Sequence, residues 1–181
     1  MSGDLKRQNK CLKVLNTTIT LLFLTAFVSC KNNSEKSISV SGPGKEAMID
    51  LNRYLIQKDR ERIQNYIERK NLRMTETSTG LWYQIVKGGE GNVFKDNSKV
   101  IFEYDCSLID GTLCYSSKEL GPKEVVLGRT QIESGMNEGL RMLRPGAEAI
   151  FIIPPFLGYG LIGDGKKIPP RSVIVYNIIV K

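Results

Sequence analysis

The sequence predicts an α+β fold, a sheet wrapped around one short helix, with a helical segment ahead of it. Three observations predict it. The apolar pattern changes from a helical period to a period of two after Ser78-Thr79-Gly80. Beyond that point a single short stretch, Met136, Leu140 and Leu143, returns to helical spacing. Two continuous apolar runs, Ala149 to Ile153 and Ser172 to Val180, suit strands covered on both faces.

The chain begins with Lys6, Arg7, Lys10 and Lys13 against Asp4 alone, followed by an apolar run from Val14 to Val28. That run, at about 1.5 Å rise per residue, falls short of the roughly 30 Å hydrocarbon core, so residues 1–29 read as a cleaved signal peptide. Ser29 directly before Cys30 resembles the lipobox of bacterial lipoproteins, which implies lipidation at Cys30. An ordinary secretory signal or an uncleaved anchor is the alternative. Residues 30–44 are polar and include Gly42-Pro43-Gly44, the composition of a lipidated tether. The expected location is that of an exported, membrane-anchored lipoprotein of a bacterial cell envelope, facing the periplasm. The formal charge of +7 is scattered rather than clustered, so no nucleic-acid partner is expected. The chain has no histidine, which excludes a Ser-His-Asp triad and any His-ligated metal. No metal and no cofactor is expected.

Residues 45–76 form the helical segment. Met48, Leu51 and Leu55, then Ile56, Ile63 and Ile67, make a stripe, and charges of both signs lie between them. A single helix docked on the next domain, or a pair of shorter ones, fits the pattern. A dimer or an envelope complex formed through residues 45–73 is the sharper alternative.

Leu81 to Val86 is a strand closed by Gly88-Gly89-Glu90-Gly91. From Lys99 to Ile109 the alternation puts Val100, Phe102, Tyr104, Cys106 and Leu108 on one face. Asp110-Gly111 marks a hairpin corner. A two-residue turn there sets Cys106 opposite Tyr115 and Cys114 opposite Ser107, with the thiols on opposite faces. A three-residue loop would set the cysteines opposite each other; two free, buried thiols are expected. Val125 to Gly128 is a short strand ending in a turn, and Pro145-Gly146 stops the helix through Met136. Gly158 to Gly165 is too rich in glycine for a regular element and long enough to be a functional loop.

Several pieces in this order resemble the FKBP-type peptidyl-prolyl isomerase domain across residues 80–181. They are Gly80-Leu81-Trp82-Tyr83, Tyr104, Asp110-Gly111, Ser116-Ser117, Leu127-Gly128, Glu133 to Leu140, Pro145-Gly146, Pro155, Tyr159-Gly160 and Ile168-Pro169-Pro170. The resemblance implies an antiparallel sheet around one short helix. It also implies isomerisation of proline-containing polypeptides that assists folding of exported proteins. With the lipobox and the helical segment, the chain looks most like the cell-envelope lipoprotein branch, including isomerases associated with gliding motility.

Carried over by position, the family's pocket implies Tyr104, Tyr159 and Tyr176 as catalytic residues. It implies Cys114, Tyr115, Ile132, Met136 and Ile168 as substrate-binding residues. The occupants depart from the family in places: Cys114 stands for a phenylalanine, Tyr115 for an aspartate, Met136 for a tryptophan, Lys123 near another aromatic, and Glu133 for an aliphatic. A non-catalytic binding module or chaperone on the same fold is therefore the competing expectation.

Overall fold

A computed structural model describes residues 44–181. The signal segment 1–29, Cys30 and the tether up to residue 43 lie outside the described residues. No helix among the described residues is long and apolar enough to cross a membrane.

Helix α1, Lys45–Lys70, opens with Glu46 in its first turn and closes with Arg69 and Lys70 in its last. These charges complement the helix dipole. It ends where Asn71 adopts the left-handed conformation, φ 51°, and donates its N–H to the Glu68 carbonyl. The strands are β1 (Thr75–Glu76), β2 (Trp82–Lys87), β3 (Lys99–Leu108), β4 (Leu113–Ser116), β5 (Lys123–Val126), β6 (Glu148–Ile153) and β7 (Ile174–Val180). Two short helices, α2 (Ser117–Leu120) and α3 (Ser134–Arg141), and a 3₁₀ turn at Pro155–Leu157 complete the fold.

The strands form one sheet in the order β1-β2-β6-β7-β3-β4, with β5 also on β3. Every pairing is antiparallel. One edge of β3 is paired along Phe102–Leu108 by β7, and the other is shared by β5 and β4. The inner face packs Phe102, Cys106, Phe151, Ile153, Tyr176 and Ile178 against Met136 and Leu140 of α3. Close approach of α3 depends on Gly139, where a Cβ would stand 2.5 Å from the Phe151 ring.

On the outer face Ile63 of α1 packs with Ile152, Val173 and Val175. Strands β6 and β7 are therefore covered on both sides where α1 lies, which is why their sequences run apolar without alternation. A single helix is observed, docked through its C-terminal half, whereas Met48 and Leu51 near its start are exposed. Asp59, buried on the docked face, accepts a hydrogen bond from Arg171 at 2.7 Å and ties α1 to the chain after Pro170.

The α+β expectation is met. Three local differences follow from tertiary contacts. The helix stops at Lys70, and Thr75–Glu76 joins the sheet as a strand on β2. Ser117–Leu120 is a helical turn, capped by the Ser116 hydroxyl, which accepts from the Lys118 N–H at 3.2 Å. The third concerns the cysteines. Cys106 does pair with Tyr115, but the register then shifts and Ser107 pairs with Leu113. Cys114 is the extra residue of this bulge, so both thiols enter the same core instead of opposite faces. They are nonetheless free and buried.

Candidate active site

Tyr104 and Tyr176 sit on neighbouring strands β3 and β7, their ring centroids 6.0 Å apart and tilted by 53°. Tyr159 comes from the loop after the 3₁₀ turn and packs against the same core. Met136 on α3 and Ile168 before Pro169 are buried beneath, and half-buried Ile132 packs beside them. Tyr104, Tyr159, Tyr176, Ile132, Met136 and Ile168 thus all belong to the same apolar core.

A carboxylate joins the three phenols. Glu133, immediately before α3, is only 9% exposed, and its Oε1 accepts a hydrogen bond from the Tyr176 hydroxyl at 2.9 Å. Burial, and then the Glu133 charge, push the Tyr176 hydroxyl far above the ordinary tyrosine value. Burial, and then the neighbouring Glu133 carboxylate, do the same for Tyr159. Tyr104 is raised by burial, with smaller effects from Cys106 and Glu133. All three rings carry neutral hydroxyls at physiological pH and can donate hydrogen bonds. Burial also pushes the Cys106 thiol up to about 12, so it is no thiolate nucleophile.

The rim residues are held by the glycine-rich loop. The Tyr115 hydroxyl donates to Asp164 in that loop. Asp164 Oδ1 also accepts the N–H groups of Lys166 and Ile168, each at 2.8 Å. Lys167 Nζ stands 5.4 Å from the Tyr115 ring centroid. Gly163 is indispensable to this loop: its φ is +71°, and a Cβ there would stand 2.2 Å from the Ile168 carbonyl oxygen. Cys114 is likewise a buried wall residue, its Sγ 3.5 Å from the Lys167 carbonyl oxygen.

Two polar residues organise the site: Glu133, which the resemblance already put at a pocket position in place of an aliphatic, and Asp164, which was not legible as a site residue. Asp164 carried the weak signal of an aspartate in a loop, accepting from the N–H two residues on. Glu133 carried the signal of an acid at a helix N-terminus, which is common on surfaces. A separate concavity of about 350 Å³ lies against the sheet around Glu103, Asp105, Ile150 and Asn177. It touches the site only at Tyr104 and lacks the other two tyrosines. Among the described residues, no group of three or more His, Cys, Asp or Glu side chains is placed to hold a metal ion.

An antiparallel sheet packed on short helices, preceded by an N-terminal helix, is the architecture of the FKBP-like fold. Residues 91–181 match the family described as FKBP-type peptidyl-prolyl cis-trans isomerase, and the chain belongs to that family. It is 40% identical over 102 residues to the "Probable FKBP-type peptidyl-prolyl cis-trans isomerase FkpA" of Neisseria meningitidis, covering 56% of this chain and 37% of that protein. It is 32% identical over 121 residues to FkpA of Escherichia coli K12, covering 67% of this chain and 43% of that protein. The crystal structure of FkpA from Escherichia coli superposes with a TM-score of 0.60 at 29% identity, over 74% of this chain and 62% of that one. The chain spans about two fifths of the length of these curated relatives.

Proposed function

We propose that this protein is a peptidyl-prolyl cis-trans isomerase that acts on proline-containing segments of exported polypeptides. The observation that carries the reading is the gathering of Tyr104, Tyr159 and Tyr176 over buried Met136 and Ile168. Rotation about an X–Pro bond faces a barrier of about 18–20 kcal/mol from amide resonance, while cis and trans differ by only about 0.5–1 kcal/mol. No proton has to move and no covalent bond has to form. An apolar aromatic wall removes water from the amide and weakens its charge-separated planar form. A neutral phenol at the wall donates a hydrogen bond that favours the twisted geometry over the planar one. In this reading Tyr104, Tyr159 and Tyr176 are the catalytic residues, and Cys114, Tyr115, Ile132, Met136 and Ile168 shape the substrate site. Cys114 and Tyr115 act by building the wall and holding the loop.

The test is a proline-limited refolding assay. Wild-type protein accelerates the slow phase, and Tyr159→Phe, which removes one hydroxyl donor, lowers kcat/KM by roughly tenfold. Absence of any acceleration by the wild type would falsify the reading. It would leave a second one, a non-catalytic binding module or chaperone, which Glu133 in the cleft wall and the engaged Tyr115 hydroxyl favour.

The proposal extends to location. Residues 1–29 act as the signal, Cys30 carries lipid, and the domain faces the periplasm on a tether, as in the envelope lipoprotein branch with its gliding-motility isomerases. Fatty-acid labelling that persists in Cys30→Ala would remove the anchor. The exposed Met48, Ile49, Leu51 and Tyr54 of α1 support pairing with a second copy through residues 45–73. A wild-type protein that sediments as a monomer rules that pairing out.

A further inference from the structure

Among the described residues Glu133 is the one carboxylate that acts on all three tyrosines. Oε1 is taken by Tyr176, whereas Oε2 is buried and has no hydrogen-bond partner among the described residues. The nearest cation, Lys123 Nζ, stands 4.0 Å from Oε2, outside direct hydrogen-bonding distance. A buried carboxylate oxygen without a donor is costly, and a bound group that supplies one recovers that cost on binding.

We propose that Glu133 is the specificity-determining residue of the cleft, its Oε2 accepting a main-chain N–H from the bound peptide. The inference rests on the reading of the ligand as a proline-containing segment. Proline itself has no N–H, so the donor comes from a neighbour. The amide nitrogen of the following residue is two bonds from the proline ring, and that of the preceding residue is three. The following residue therefore supplies the donor. A cationic side chain fits less well, because Lys123 already places a positive charge beside Oε2. The cleft accordingly selects X–Pro–Y segments with a free amide at Y and discriminates against X–Pro–Pro.

Dissociation constants of a short X–Pro–Y peptide and of its analogue with an ester oxygen in place of the Y amide N–H test this directly. With wild-type protein the ester binds about tenfold more weakly or worse, the loss of one charge-assisted hydrogen bond. Glu133→Leu binds the two peptides alike, and Glu133→Gln, whose amide oxygen still accepts, keeps part of the difference. Equal affinities for the wild type overturn the inference, as does a penalty that survives in Glu133→Leu. Isomerase activity without an ester penalty removes this inference alone. Failure to bind any of the peptides removes the prolyl-isomerase reading beneath it as well.

Discussion

At the scale of single residues, the site is a set of phenols held neutral by their surroundings. Burial and the Glu133 carboxylate raise the pKa of Tyr159 and Tyr176, and burial raises that of Tyr104. A tyrosine whose folded pKa lies above its unfolded value, about 10, contributes stability in full below pH 10 and loses it as pH rises further. The expected result of an alkaline titration is a tyrosinate absorbance that stays below that of the unfolded chain until the protein unfolds. Full ionisation of all tyrosines in a still-folded protein would contradict it. Tyr104 and Tyr176 were legible as inward residues from strand alternation and apolar runs. The resemblance put Glu133 at a pocket position, but its hydrogen bond from Tyr176 was not legible, because strand and helix patterns carry no information about which side chain a loop residue meets.

At the scale of elements, the glycine-rich loop shows how local chemistry fixes a rim. Burial of Asp164 opposes its ionisation, but the Tyr115 hydroxyl and the Ile168 and Lys166 N–H groups outweigh it, so its pKa is lowered. A carboxylate depressed in this way supports the fold above its unfolded value, about 3.9, and loses that support as pH falls through the folded value. The amide resonances of Lys166 and Ile168 are therefore expected to stay unchanged from about pH 8 to about pH 5 and to move only below about pH 4. Tyr115→Phe shifts that transition upward, since it removes one donor. The corner at Asp110-Gly111 was legible from its dipeptide, and Gly111 has φ +97°. The bulge at Cys114 was not, because a one-residue register shift depends on how β4 meets β3 and leaves no mark in the alternation.

At the scale of the molecule, two contacts join parts far apart in the chain. Arg171 donates its side chain to Asp59 of α1 and its backbone N–H to the Gly160 carbonyl at 3.0 Å. It thus couples the docked helix to the rim loop. Burial raises the Asp59 pKa despite Arg171 and Arg62, so removing Arg171 leaves a carboxylate that is costly to keep charged. Arg171→Ala is expected to cost about 1–3 kcal/mol in denaturant unfolding, and Asp59→Asn, which keeps an acceptor, less. The second contact is Gly139 against Phe151. Gly139→Ala places a methyl 2.5 Å from the ring and is expected to cost about 1–3 kcal/mol through overpacking, read as a lower midpoint. An unchanged midpoint would show that α3 can slide away from the sheet.

The sequence by itself determined the main elements: the strand through Tyr104, the helix through Met136, a helical segment ahead of the sheet and the hairpin corner. Each is a periodic or two-residue pattern written in neighbouring positions. Only the tertiary structure decided that Glu133 takes the Tyr176 hydroxyl, that Tyr115 spends its hydroxyl on Asp164, and that both cysteines share one core. Those outcomes depend on packing between segments distant in the chain, where desolvation and hydrogen-bond geometry, rather than local pattern, choose the partner.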